Sequence, residues 1–191
     1  MKVIGISGSP RKDGNTAIAI RTVFAELEKQ GIETELIQMA GQSVRGCTAC
    51  MSCARNKDRQ CIIKNDIINE CIAKMMEADG IILGSPTYFA DVTAEMKALI
   101  DRAGYVSRMN DYMFKYKVGA AVMAVRRGGA IHGFDTINHF LHYNQMFLVG
   151  STYWNMVYGR EIGEVEKDAE GISNMHNLGE NMAWLLKKIK D

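Results

Sequence analysis

The stretch Lys2–Thr16, KVIGISGSPRKDGNT, decides how the rest of the chain is read. It opens on Val3-Ile4-Gly5-Ile6, an apolar run too short for a helix and rich in β-branched residues. Such a run reads as a strand covered on both faces. Ser7-Gly8-Ser9-Pro10 ends it, and Asn15-Thr16 opens a helical pattern. A strand that turns through small residues into a helix N-terminus leaves backbone N–H groups free and adds the partial positive charge of the helix dipole. That is an anion site in outline. Ser9, Asn15 and Thr16 can add side-chain donors, and Arg11 a planar charged fork suited to phosphate. The stretch carries neither G-x-x-x-x-G-K-[ST] nor G-x-G-x-x-G, which disfavours a P-loop NTPase and the usual dinucleotide turn. On this loop alone, an ordinary strand-to-helix turn remains an alternative.

Working outward, strand and helix patterns alternate. A helix is expected over Asn15–Gln30, with Ile18, Ala19, Val23, Phe24 and Leu27 at helical spacing and Gly31 as its stop. A strand over Glu33–Gln38, a helix over Asp66–Ala78 and a strand over Ile81–Leu83 follow. Next come a helix over Thr93–Arg102, a strand over Lys117–Val125, a helix over Ile131–Asn144 and a strand over Met146–Val149. Gly150–Lys167 reads as irregular and leads to a last helix over Asp168–Ile189. This alternation implies an α/β fold with a parallel sheet between two helical layers. Five strands suit the flavodoxin-like three-layer sandwich of order 2-1-3-4-5; a Rossmann-like order competes.

Composition narrows the class. The chain has 191 residues, and one domain spanning 1–191 is the expectation. An apolar content of 47% with 24% charged residues is that of a globular protein with a sizeable core. A formal net charge of +1 argues against a general nucleic-acid binder. No apolar run approaches a membrane span, and no signal peptide is read at the N-terminus, so a cytoplasmic location is expected. The thirteen methionines read as flexible core filling.

A second copy of the first turn raises the stakes. Gly84-Ser85-Pro86 repeats Gly8-Ser9-Pro10, and it continues Thr87-Tyr88-Phe89. In the 2-1-3-4-5 order these two loops flank the switch point where ligands bind. The third loop, Arg126-Arg127-Gly128-Gly129, falls at the same edge and allows close backbone approach. A phosphate pocket, an aromatic shelf and a glycine wall describe a flavin mononucleotide (FMN) site; the plainer alternative is that Tyr88 and Phe89 only cover the sheet end. Arg126-Arg127 can hold a nicotinamide cofactor's phosphate or simply solvate a loop. Flavin chemistry needs no general base or nucleophile from the protein, so none is assigned.

Four of the five cysteines lie within fifteen residues: Cys47, Cys50, Cys53 and Cys61, spaced Cys-x2-Cys-x2-Cys-x7-Cys. Overlapping Cys-x2-Cys steps let one short loop wrap three corners of a [4Fe–4S] cluster while a fourth thiolate comes from further on. Zinc more often takes paired cysteines, and free thiols are the remaining alternative. Cys71 sits on an apolar helical pattern and reads as core. His132, His139 and His142 read as a helix face, and Tyr153, Trp154 and Tyr158 as a cover or contact in the irregular stretch.

The segments GSPRKDGNT and GSPTYFADVTAEMKALIDR, with the glycine pair at 128–129, resemble the NAD(P)H-dependent FMN reductase family over roughly the first 150 residues. With the cysteine segment at about 46–61, the chain looks most like the iron–sulfur flavoproteins of that family. The resemblance implies that Ser9, Arg11, Asn15 and Thr16 hold the FMN phosphate. By the same resemblance Pro86, Thr87, Tyr88 and Phe89 line the flavin ring, and Gly128 and Gly129 approach its other edge. It implies a [4Fe–4S] cluster on Cys47, Cys50, Cys53 and Cys61, and NAD(P)H or a ferredoxin-like carrier as electron donor. A homodimer or homotetramer is the implied assembly. Asp101-Arg102 also match the family, and a structural or interface role is expected for them.

Overall fold

In the computed structural model, residues 1–190 are described. The element order is β1 (Lys2–Ser7), α1 (Asn15–Lys29), β2 (Glu33–Gln38), α2 (Ser52–Asn56), α3 (Ile68–Glu77), β3 (Gly80–Pro86) and α4 (Ala94–Met109). Then follow β4 (Val118–Val125), α5 (Ala130–Tyr143), β5 (Phe147–Leu148), β6 (Met156–Tyr158), a 3₁₀ turn (Glu164–Lys167) and α6 (Ala169–Lys190). All strand pairings are parallel, in the order β2-β1-β3-β4-β5. The flavodoxin-like order expected from sequence is the one observed, and the Rossmann-like alternative is not.

The register explains the two apolar layers. Along β1, Val3 faces one side and Ile4 and Ile6 the other. Ile4, Ile6, Ile81 and Leu83 pack with α3, α4 and α5 residues such as Ile72, Leu99 and Ile137. Val3, Ile82, Val118 and Val122 pack with α1 and α6 residues such as Val23, Leu27, Leu178 and Met182. Every residue of β4 is buried, as a central parallel strand covered on both faces must be. Gly5 and Gly84 let α1 lie close on the sheet: a Cβ on Gly5 would stand 2.6 Å from Ile20 Cγ2, and one on Gly84 2.8 Å from Ile20 Cδ1.

The far edge departs from expectation. The predicted strand at Met146–Val149 is only Phe147–Leu148, paired to Val118 and Gly119. A sixth strand, β6, lies in the stretch read as irregular and pairs with Met123–Val125 further along β4. Buried Asn155 bridges the gap: its Nδ2 donates to the Ala121 carbonyl at 3.0 Å, and its own carbonyl accepts from Met123 N–H at 2.9 Å. The chain therefore leaves the edge after β5 and rejoins it at β6, with no buried carbonyl at Ala121 left unpaired. The short helix α2 inside the cysteine segment was also not expected. Among the described residues no helix is long and apolar enough to cross a membrane.

Candidate functional site

The two Gly-Ser-Pro turns are in direct contact. Gly8 N–H donates to the Gly84 carbonyl at 2.8 Å. Thr93, the N-cap of α4, locks the pair: its buried hydroxyl donates to the Gly8 carbonyl at 2.8 Å and accepts from Met96 N–H at 3.2 Å. Ser85 Oγ accepts from Thr93 N–H at 3.0 Å, so both turns and the start of α4 form one unit.

Between them opens a cavity of about 370 Å³. That lies within the range of roughly 300–1,000 Å³ usual for cofactor sites. Ser9, Arg11, Asn15 and Thr16 line one end; Pro86, Thr87 and Tyr88 line the side. Ala124 and Arg126 come from the end of β4, and Gly159 and Arg160 from the loop after β6. Helix α1 begins at Gly14 with no side-chain cap, so its first N–H groups stay available at the cavity. The Ser9 hydroxyl accepts from Arg11 N–H at 3.2 Å and shapes the turn. Arg11 Nη1 donates to the Arg160 carbonyl at 2.8 Å. Asn15 donates to the Glu161 carbonyl and accepts from Gly163 N–H, both at 2.9 Å. The first loop is thus tied to residues 160–163, which sequence reading had not placed at the site. A Cβ on Gly159 would stand 2.7 Å from Val165 N, so only glycine fits where this loop closes.

Two hydroxyls carry the chemistry of the cavity. Thr16 Oγ1 and Thr87 Oγ1 are buried without a hydrogen-bond partner among the described residues. A buried hydroxyl left unpaired costs about 1–3 kcal/mol, which a ligand oxygen or nitrogen would offset. With free helix N–H groups and the Arg11 and Arg160 side chains nearby, the donor set suits a phosphate and a polar ring edge.

Of the residues proposed from sequence, seven are brought together: Ser9, Arg11, Asn15, Thr16, Pro86, Thr87 and Tyr88. Phe89 is not. Tyr88 and Asp91 exchange both backbone bonds, at 2.8 and 3.0 Å, which puts Phe89 at the tip of a tight turn. Its φ is +47° and its side chain is wholly exposed, away from the cavity lining. Gly128 and Gly129 also fall outside the lining. Gly129 starts α5 at φ +84°, and a Cβ there would lie 3.7 Å from Ala90 Cβ, so it abuts the 88–91 turn. Arg126, one of a pair left open between two roles, reaches the cavity. His132 stands 3.3 Å from Asp91, on the outer side of that turn.

The cysteines make a second site. Cys47, Cys50, Cys53 and Cys61 line one small pocket with Ile62, Ile63, Tyr105 and Val106. All four are free thiols. Among the described residues no three histidine, cysteine or acidic side chains stand as a ready metal-coordinating group. The donor chemistry nevertheless fits a thiophilic metal centre: four thiols, an apolar wall and no competing carboxylate in the lining. The loop is irregular around α2, with Ala49, Met51, Lys57 and Arg59 all at positive φ. Hydrogen bonds to Ser52 lower the Cys50 thiol to about 7, while burial raises Cys53. Cys71 lies in the core, where burial pushes its thiol up to about 12, and it takes no part.

Arg102 was expected to be structural or at an interface; it is buried beside the cysteine pocket. Only 1% of it is accessible. Its Nη1 pairs with Asp66 and donates to the Arg45 carbonyl at 3.0 Å, its Nη2 donates to the Ile63 carbonyl at 2.9 Å, and its Nε to Cys61 Sγ at 3.3 Å. Asp101, next to it, is half-buried and pairs with Lys97 at 2.5 Å. Burial opposes ionisation of Asp66, but hydrogen bonds from Arg102 and from the N–H groups of Ile68 and Arg45 hold its carboxyl below the usual range.

A doubly wound sheet with an anion-binding turn and a cavity at the switch point defines a flavodoxin-like, FMN-dependent oxidoreductase. The sequence pattern of the NADPH-dependent FMN reductase family matches residues 1–161, and the chain belongs to that family. Over its whole length it is 39% identical to an iron–sulfur flavoprotein of Methanocaldococcus jannaschii, all of which is covered. It is 33% identical to an iron–sulfur flavoprotein of Methanosarcina thermophila, covering 100% of this chain and 97% of that one. Among solved structures, a flavodoxin from the domain Archaea superposes with a TM-score of 0.65 at 16% identity, covering 98% and 99% of the two chains.

Proposed function

We propose that the chain holds FMN in the cavity between the β1 and β3 turns and a [4Fe–4S] cluster on Cys47, Cys50, Cys53 and Cys61, and that it moves electrons between a reduced donor and an acceptor. Bound FMN supplies hydride and single-electron chemistry at its ring, and a cubane cluster supplies one-electron exchange. The protein's part is to bind and orient. Thr16, Ser9, Asn15 and the free N–H groups of α1 receive the phosphate, with Arg11 adding charge. Pro86, Thr87 and Tyr88 would line the ring, and the unpaired Thr87 hydroxyl would be available to its polar atoms. Gly128 and Gly129, beyond the lining and next to the 88–91 turn, would approach the other edge of the ring. The observation that carries the reading is the pocket lined by all four thiols, on the same chain as a flavin cavity.

The donor we favour is an acidic, ferredoxin-like carrier rather than NAD(P)H alone. Residues 45–64 hold Arg45, Arg55, Lys57, Arg59 and Lys64 against a single acid, Asp58, whereas the whole chain is only +1. All five cations are exposed, and none makes an ion pair among the described residues. A basic rim around a redox centre steers an acidic partner. A groove of about 470 Å³ between α4 and α5, flanked by Tyr105 and Tyr143, suits a second copy, and the assembly we propose is a homodimer or homotetramer in the cytoplasm.

Anaerobic purification followed by flavin, iron and sulfide analysis tests the reading. One FMN with about four iron and four sulfide per chain is expected. Flavin without iron, bleached rapidly by NADPH, would instead show a cluster-free reductase. A colourless protein with stoichiometric zinc would show a binding module.

A further inference from the structure

The geometry points to Arg102 as the positioning residue of the cysteine site: its guanidinium bonds the Cys61 sulfur directly and ties together both ends of the loop that carries the other three thiols. The inference rests on the cluster reading above and deepens it. Three facts carry it. First, Nε of Arg102 lies 3.3 Å from Cys61 Sγ as a donor. Second, the same group donates to the carbonyls of Arg45 and Ile63, two residues before Cys47 and two after Cys61. One side chain therefore closes the 45–63 loop at its neck. Third, Arg102 is anchored at its backbone in α4, its Nη1 also pairs with Asp66, and Asp66 Oδ2 itself accepts from Arg45 N–H at 3.3 Å. A buried guanidinium with this many partners cannot swing away.

A cationic N–H on a ligating thiolate draws charge off the sulfur. It therefore favours the more negative, reduced form of whatever the thiolates hold and raises the reduction potential. A lysine keeps the charge but cannot reproduce the planar fork that serves Arg45, Ile63 and Cys61 at once. Arg102 thus does two separable things: it shapes the loop through the two carbonyls, and it tunes the centre through the sulfur.

The test uses the anaerobically loaded full chain. Protein grown with arginine labelled by ¹⁵N in the guanidinium is reduced, and pulsed EPR reads ¹⁵N coupling to the cluster. A coupling present in the wild type and absent in R102K is expected. In parallel, EPR-monitored titration of cluster-loaded R102Q should show the oxidised form favoured about tenfold more, a fall of about 59 mV for one electron, with R102K in between. A merely structural Arg102 would leave the potential unmoved in loaded R102Q, and that result, or a loaded wild type without ¹⁵N coupling, overturns the inference. If R102Q does not fold or load, the wild-type coupling and the R102K potential decide: an absent coupling or an unmoved potential overturns the inference. Wild-type protein that takes up flavin but no iron and sulfide overturns the cluster reading, and this inference with it.

Discussion

Gly8 and Gly84 meet backbone to backbone, N–H to carbonyl at 2.8 Å, across two turns separated by most of two βαβ units. That bond holds the wall of the cavity between the two turns, and neither residue has room for a side chain. A Cβ on Gly8 would stand 2.8 Å from Met96 Cβ and 3.1 Å from Thr93 Oγ1. G8A should therefore cost about 1–3 kcal/mol of stability through overpacking and weaken FMN binding. Urea unfolding with and without FMN checks both.

Thr16 gives a sharper separation of binding from folding. Its hydroxyl is buried and unpaired. T16V should leave the flavin-free protein as stable or slightly more so, because a hydroxyl without a partner is removed. It should weaken FMN binding roughly ten- to hundredfold, the worth of one hydrogen bond to a charged group, about 1.5–3 kcal/mol. Flavin fluorescence titration and thermal unfolding of the apoprotein report the two effects.

Phe89 predicts the opposite pattern. It occupies a left-handed conformation at φ +47° and touches none of the cavity. F89N should hold or raise the melting temperature, since asparagine tolerates that conformation at lower cost. FMN affinity should change less than in Y88A, which removes a lining residue. A loss with F89N equal to that with Y88A would contradict the placement.

Asp66 sets an acid limit. Its carboxyl sits below the ordinary aspartate range because of its buried hydrogen bonds. A depressed folded value means the stabilisation is complete above the unfolded value and drains as pH falls through the folded one. D66N should cost about 3–5 kcal/mol at neutral pH, because the Arg102 charge then lies buried without its partner. The variant should also lose part of the wild-type fall in stability below about pH 4. Denaturant melts at a series of pH values measure this.

The basic rim makes a kinetic prediction. R55E/K57E/R59E should slow reduction by an acidic carrier about tenfold at low salt and little at high salt. Reduction by dithionite or NADPH should change far less. Stopped-flow rates against ionic strength read the difference.

The layer order, the paired turns and the cysteine segment were legible because each is local: a β-branched run, a Gly-Ser-Pro signal, a tight thiol spacing. Seven of the residues that line the cavity come from two short segments for that reason. What escaped was what only long-range folding brings back. Gly159 and Arg160 reach the cavity because the three-residue strand β6 rejoins β4, and Met156-Val157-Tyr158 is too short to show a period. Arg102 sits in a family segment beside half-buried Asp101, and nothing in its neighbours says that it turns inward to Cys61. Phe89 lies outside the lining: an aromatic after Tyr88 reads as a continued shelf, while the Tyr88–Asp91 bridge turns it outward.

The split border of the sheet also bears on solubility during synthesis. β5 offers two residues and β6 three, separated by a detour and plugged at Ala121 by a side-chain amide. A full-length border strand presents a continuous ladder of free backbone groups to any neighbouring molecule; on this side of the sheet the ladder is broken. Straightening the detour into one uninterrupted strand would remove that protection, and shorten the path that delivers Arg160 to the cavity.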